Sequence, residues 1–217
     1  LLGLKGRAIG KHELALKAIE LEQNWLKESV GAQDQVAAAQ GGLNVIRFGK
    51  SGEIEVQPIQ ADRQRIDSLQ SKLMLFYAGA NRLSSELAQK IINNIPARER
   101  NLRQMRELVD RAATVLEGDG DLDEFGYLMH ENWMLKRELS NAVSTDAIDA
   151  IYDTAINSGA LGGKLMGAGG TGFMVFYVRE EHQDAVHNSL SNYLHAPFKF
   201  ENKGSVLVDS ASEISLD

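Results

Sequence analysis

Cysteine is absent from the 217 residues. That excludes disulfides, a thiol nucleophile and cysteine-ligated zinc. Proline is scarce, at three residues, and no Ser/Pro-rich tract or internal repeat occurs, so nothing marks a disordered linker. No apolar run approaches the roughly 18 residues that a membrane helix needs. Residues 1–10 lack the apolar core and cleavage site of a signal peptide. Cytoplasm is therefore the expected compartment, with no membrane partner. Basic residues are few and scattered: 23 Lys and Arg face 30 Asp and Glu, a net charge of −7. Nucleic-acid binders draw most of their affinity from a positive stripe, so no nucleic-acid partner is expected. An acidic chain can still take a small phosphorylated ligand, but local donors must hold the phosphate.

What remains is ordinary for a globular protein: 43% hydrophobic and 24% charged residues. The length suits one large domain or two small ones. Residues 1–7 (Leu-Leu-Gly-Leu-Lys-Gly-Arg) read like the tail of a helix already under way, so a preceding segment is expected. Lys11 to Glu28 reads as an amphipathic helix with Leu14, Ala18, Leu21 and Trp25 on one face. Gly31 breaks it, and Gln33 to Gln40 is a short Ala-rich helix stopped by Gly41-Gly42. Leu43–Phe48 and Glu53–Ile59 flank the turn residues Lys50-Ser51-Gly52 and predict a hairpin. Ala61 to Leu69 is polar and reads as a connection, dividing the chain into domains 1–60 and 61–217.

In the second domain, Lys72–Ala78 and Phe173–Val178 are apolar runs of strand length. Helices are predicted over Ser84–Asn93, Ala97–Glu117, Asp121–Leu139, Thr145–Ser158 and Glu180–Leu194. Leu102, Met105, Val109, Ala112 and Leu116 make one of these amphipathic; Leu122, Phe125, Met129 and Trp133 do the same for the next. Trp25 and Trp133 are expected in the core. Gly159–Gly172 is expected as a glycine-rich loop, and Phe198–Glu201 and Ser205–Val208 as short terminal strands. The alternation suits an α+β fold built on a split βαβ unit rather than a doubly wound sheet.

Chemistry concentrates in two places. Gly167, Gly169 and Gly172 match G-x-G-x-x-G, but a dinucleotide fingerprint follows a strand and opens a helix. Here an apolar strand comes after the glycines, and no Gly-Lys-Ser/Thr closes a Walker loop. Successive glycines permit positive φ and close backbone approach, so their N–H groups could form an anion-binding nest; a ligand-free glycine-rich hairpin fits the pattern equally well. Asp34, at the start of a short helix, is either a reactive carboxylate or an aspartate that stabilises the helix dipole. The five histidines show no metal-ligand spacing, and all but His130 are expected in solvent. Arg98, Arg100, Arg103 and Arg106 interleave with Glu99 and Glu107 as an ion-paired helix face.

Lys164 to Phe173 (Lys-Leu-Met-Gly-Ala-Gly-Gly-Thr-Gly-Phe) resembles the glycine-rich third motif of the GHMP superfamily of small-molecule kinases, with Thr171 where glycine is usual. Gly31-Ala32-Gln33-Asp34-Gln35 resembles that family's G-x-x-D-Q segment, and His130-Glu131-Asn132-Trp133 a segment near the substrate. Gln33-Asp34-Gln35 with Ala37-Ala38-Ala39, Gly41-Gly42-Leu43-Asn44, and Phe76-Tyr77-Ala78-Gly79 through Arg82, Ser84 and Ser85 are closest in pattern to the bacterial D-glycero-D-manno-heptose 7-phosphate kinases.

The resemblance implies the remainder of a ribosomal-protein-S5-like first domain followed by a ferredoxin-like second domain with extra helices. It implies ATP and Mg2+ as cofactors and a sugar or sugar phosphate as substrate; a homodimer stays open. Asp34 becomes the catalytic carboxylate and Glu22, twelve residues earlier, a metal ligand. Gly167, Ala168, Gly169, Gly170, Thr171 and Gly172 become the nucleotide loop, and Gln33, Arg82, Ser84 and Lys164 substrate contacts. The family's phosphate loop, of the P-x-x-x-G-L-G-S-S-x type, would precede Leu1, so this stretch by itself is expected to be inactive. Two other readings stay open: a GHMP kinase for galactose-, fucose-, mevalonate- or homoserine-like acceptors, and a non-catalytic ligand-binding domain on the same scaffold.

Overall fold

The computed structural model describes residues 5–79, 84–167, 170 and 172–207, the side chains of residues 84–87 excepted. The chain forms two compact units, one running up to Pro58 and resuming at Phe200, the other spanning Ile59–Lys199. The segment from Phe200, which the sequence placed in the second domain, thus groups with the first unit.

In the first unit, α1 (Lys11–Glu20) runs into a π-helical turn over Leu21–Trp25, and α2 (Gln33–Gln40) comes next. The helices meet through small residues: Ala15, Val36 and Ala39 are buried, with Leu14 and Ile19 against them. This face is centred on Ala15 and lies one residue off the one predicted. Leu21 and Trp25 point outward, and Trp25 is 72% exposed instead of in the core. A π turn adds a residue to the helical cycle and rotates the residues after it away from their α-helical direction. A 3.6-residue template therefore misplaces Trp25.

The hairpin forms as its turn residues predict. β1 (Asn44–Phe48) pairs antiparallel with β2 (Ile54–Pro58), Ile46 opposite Val56. Ile46, Ile54 and Val56 lie on the small core. The two terminal strands do not form among the described residues. Residues 200–207 instead make an irregular strap against the end of α2: Gly42 N–H donates to Glu201 C=O and Ser205 N–H to Ala38 C=O. Gly41 and Gly204 both hold positive φ, +68° and +67°, and a Cβ on Gly41 would lie 2.1 Å from Gly204 N. Only paired glycines allow so close a crossing.

In the second unit the predicted polar connection is a helix. α3 (Arg63–Ser71) is capped by Asp62, which accepts from Arg65 N–H at 2.7 Å. It buries only Leu69 fully, so its polar sequence resembles a loop. β3 (Leu73–Tyr77) leads to α4 (Ser84–Asn94), α5 (Glu99–Glu117), α6 (Asp123–Arg137) and α7 (Asp146–Asn157). β4 (Ala160–Leu165), β5 (Phe173–Val178) and α8 (Glu180–Ser189) complete the unit. On α5 Leu108 and Leu116 are buried and Leu102 and Met105 pack on the core, whereas Val109 is 43% exposed. α8 stops at Ser189, short of the predicted Leu194.

β5 lies between β3 and β4, antiparallel to both. Tyr77 N–H donates to Leu194 C=O and Ala196 N–H to Leu75 C=O, so residues 194–196 run along the free edge of β3. The core joins Phe76 and Phe176 to Trp133, Ile148, Ile151 and Tyr152. Half of the predicted glycine loop is β4. Gly162 admits α6: a Cβ there would sit 2.0 Å from Gly126 C=O and 2.7 Å from His130 N. Gly162→Ala is expected to cost about 3 kcal/mol, the upper range of overpacking, read as a lower urea midpoint.

Candidate functional site

In the first unit, α2 begins without a side-chain cap, its N-cap being Ala32. Gln33 and Asp34 occupy the first turn and are exposed. The Asp34 side chain forms no hydrogen bond among the described residues, so its carboxylate faces solvent beside the amide end of the helix. Glu22 lies in the π-helical turn, half-buried, and meets α2 through Gln35. Gln35, only 8% exposed, donates from Nε2 to Glu22 Oε2 at 2.6 Å. Its Oε1 is buried without a hydrogen-bond partner among the described residues. Among those residues no group of three or more His, Asp and Glu side chains converges as a metal site.

In the second unit, the loop from β4 to β5 is anchored at both ends. Met166 N–H donates to Phe173 C=O at 2.8 Å and continues the ladder. Lys136, at the end of α6, donates to Gly167 C=O at 2.7 Å and Leu165 C=O at 3.2 Å. Gly170 N–H donates to Val143 C=O and Gly172 N–H to Gly79 C=O, each at 3.0 Å. These two amides are bonded within the protein. They brace the loop and are already satisfied, so of the amides from Gly167 to Gly172 these two are bonded to carbonyls outside the loop. Gly167, Gly170 and Gly172 do adopt positive φ of +75°, +74° and +112°, which requires glycine. Ala168, Gly169, Thr171 and Arg82 lie outside the described residues, as does the side chain of Ser84, the first residue of α4.

Lys164 stands on β4, before the loop. Its Nζ is 3.4 Å from Asn132 Oδ1 on α6. Burial holds its ammonium below the ordinary lysine range, because a desolvated cation favours its neutral form. On the same helix as Asn132, His130 Nδ1 lies 2.7 Å from the Tyr152 hydroxyl of α7, and burial pushes that phenol above its usual range. His195 is partly buried against Phe76, its ring centroid 5.0 Å away, not free in solvent as expected. The predicted arginine face of α5 carries the Glu99–Arg103 ion pair, at 2.6 Å.

Two features escaped the sequence reading. Lys136 braces the loop, and its only sequence signal is its position four residues after Asn132 on one helix face. The other is a buried carboxylate: Asp123, at the start of α6, accepts from Arg179 at 2.5 Å and Tyr177 at 3.0 Å, with Lys72 at 3.4 Å. Burial raises its pKa, but the hydrogen bonds from Arg179 and Tyr177 and the Lys72 charge outweigh that, leaving it below the ordinary 3.8.

Residues 99–196 match the protein family described as GHMP kinases C terminal. This part of the chain is similar to a GHMP kinase C-terminal domain. It carries α5 to α8 and the whole glycine loop. A D-glycero-alpha-D-manno-heptose 7-phosphate kinase from Campylobacter jejuni is 30% identical over 172 residues, covering 78% of this chain and 50% of that protein. The crystal structure of a D-glycero-D-manno-heptose 1-phosphate kinase from Bacteroides thetaiotaomicron superposes with a TM-score of 0.68 at 26% identity, covering 94% of this chain and 56% of its own. A Streptococcus pneumoniae phosphomevalonate kinase shares the fold at 15% identity, with a TM-score of 0.71 over 88% of this chain and 61% of its own. The chain thus spans about half the length of the curated heptose kinase that it matches.

Proposed function

We propose that the full-length protein transfers the γ-phosphate of ATP to a hydroxyl of a sugar phosphate of the heptose 7-phosphate type. The observation that carries the reading is the 30% identity, over 78% of this chain, to a heptose 7-phosphate kinase. The geometry supports it: the chain presents an exposed carboxylate at a helix start and, before an apolar strand, a braced glycine loop. The α+β fold is common to these relatives. We read Ile59–Lys199 as a ferredoxin-like split βαβ domain, supported by β5 running between β3 and β4 and by residues 194–196 on the β3 edge. Residues up to Pro58 are read as part of an S5-like domain. Among the described residues no helix is long and apolar enough to cross a membrane.

Phosphoryl transfer asks mainly for positioning and charge neutralisation. Asp34 is the group that accepts the acceptor hydroxyl's proton or orients that hydroxyl. Its exposure leaves it free to meet substrate, and Gln33 beside it lies exposed on the same turn. Gly167, Ala168, Gly169, Gly170, Thr171 and Gly172 form the loop that lies against the nucleotide phosphates. With the Gly170 and Gly172 amides bonded elsewhere, the phosphate-facing amides are assigned to the rest of the loop. Lys136 fixes the loop's first carbonyls. Lys164 is a largely desolvated cation set beside the neutral Asn132 amide, suited to an anionic group of the substrate. Arg82 and Ser84 are assigned the substrate phosphate.

Glu22 and Gln35 fit a hard divalent cation: a carboxylate beside a buried amide oxygen that lacks a donor is an oxygen-rich pairing of the kind Mg2+ takes. Glu22 would hold it. When bound, Mg2+ supplies charge neutralisation to the transferring phosphate. A panel of heptose 7-phosphate, galactose, fucose and mevalonate, offered to the full-length protein with ATP, tests the acceptor class. Turnover is expected with the phosphorylated sugar; turnover with mevalonate alone would reject that class.

A further inference from the structure

We infer that Gln35 is a positioning residue: it clamps the Glu22 carboxylate to α2, so a cation held by Glu22 is bound only as well as that clamp allows. The inference rests on Glu22 being the cation's ligand. The orientation of the amide comes from chemistry. An ionised carboxylate can only accept hydrogen bonds, so the end of Gln35 that meets Glu22 Oε2 at 2.6 Å must be its NH2 group. The other end, Oε1, is then left as a buried acceptor with no donor among the described residues. Buried polar atoms are nearly always paired, so an orphan acceptor beside a carboxylate marks a place where a donor or a cation arrives with a ligand.

The backbone around the contact agrees. Glu22 sits in the π-helical turn Leu21–Trp25, and such insertions in α-helices occur frequently at functional sites. Five residues later Lys27 holds a φ of +56°, an uncommon conformation for a side chain that is not glycine. Gln35 itself is fixed: it is 8% exposed and flanked by Val36, at 1%. A short hydrogen bond from a side chain held this firmly removes much of Glu22's rotamer freedom. It also places Glu22 and Asp34 under one element, since Asp34 directly precedes Gln35 on α2. Outer groups that orient a ligand in this way typically contribute 10- to 100-fold to metal affinity.

A plain structural role, pinning α1 to α2, predicts something different, and Mn2+ separates the two. Mn2+ is titrated into the full-length protein and free Mn2+ is read by EPR, for the wild type, Gln35→Leu, Gln35→Asn, Glu22→Gln and Asn101→Leu. Asn101 is a buried amide bonded to Glu138 in the other unit, so its replacement controls for general destabilisation. Expected are a loss of about 10- to 100-fold in Mn2+ affinity for both Gln35 variants, a larger loss for Glu22→Gln, and no change for Asn101→Leu. Gln35→Asn is the milder variant, too short to span the contact, and decides the matter if Gln35→Leu does not fold. Wild-type affinity in a folded Gln35 variant, with Glu22→Gln impaired, overturns the clamp and leaves the proposed function standing. Unchanged affinity in Glu22→Gln removes the metal assignment and the clamp together.

Discussion

Replacing Asp34 by alanine is expected to lower turnover of the full-length protein by about 100- to 10,000-fold, the range that a positioned acid–base group contributes, while ATP affinity stays close to wild type. Asp34 is exposed in the first turn of α2 and its side chain bonds to no described residue, so its loss removes no packing. The structural cost is confined to its interaction with the helix dipole, at most about 1 kcal/mol on an exposed turn. Steady-state kinetics beside a thermal melt separate the two effects. A large fall in kcat with a nearly unchanged melt supports the assignment. A severalfold fall, or one matched by a proportional rise in KM, takes Asp34 out of the chemistry.

The largest effect on stability is expected at Asp123. Its side chain is 11% exposed and is held by Arg179, Tyr177 and Lys72, which joins the start of α6 to the start of β3 and the end of β5. Asp123→Ala leaves the Lys72 and Tyr177 partners unmatched, and breaking a buried pair of this kind costs about 3–5 kcal/mol. The pH dependence has a definite sign. The folded-state pKa lies below the ordinary 3.8, so the unfolded chain takes up the proton more readily. The contribution is therefore fully present above pH 3.8 and is lost as pH falls through the lower, folded-state value. Urea unfolding at neutral pH and again below about pH 4 should show the wild type losing more stability than Asp123→Asn. Equal losses in both would show that another group governs the acid limb.

Much of this structure was legible in the residues because one physical signal dominated each element. The hairpin comes from Lys50-Ser51-Gly52 between two strand-length runs, and β3 and β5 from unbroken apolar stretches. α5 and α6 come from apolar periodicity, with Trp133 buried as predicted. The failures are as instructive. α3 buries almost nothing, so its polar residues mimic a connection. β4 carries Gly162 because α6 lies against it and Gly163 because Phe176 of β5 does, and two glycines in a row read as a loop. Trp25 is turned outward by a π turn that no 3.6-residue template anticipates. The strap from Phe200 depends on a glycine-to-glycine crossing between residues far apart in sequence.

The candidate site divides in the same way. Asp34 and the glycine loop carry local motifs, and a motif needs no knowledge of contacts. On spacing alone Asp34 is an ordinary helix-start aspartate; the likeness to kinases gives it a role. The bond from Gln35 to Glu22, the brace from Lys136 and the bonding of the Gly170 and Gly172 amides are tertiary facts. Each joins residues at least thirteen positions apart or an amide to a distant carbonyl. Apart from the four-residue spacing of Lys136 from Asn132, none leaves a trace in spacing or composition.

The most direct measurement is 31P NMR of the full-length protein incubated with ATP, Mg2+ and D-glycero-D-manno-heptose 7-phosphate. The account predicts that the γ-phosphate resonance of ATP decays while a second sugar phosphoester resonance grows in equal amount. Unchanged ATP, or γ-phosphate released only as inorganic phosphate with no new sugar phosphoester, would contradict it.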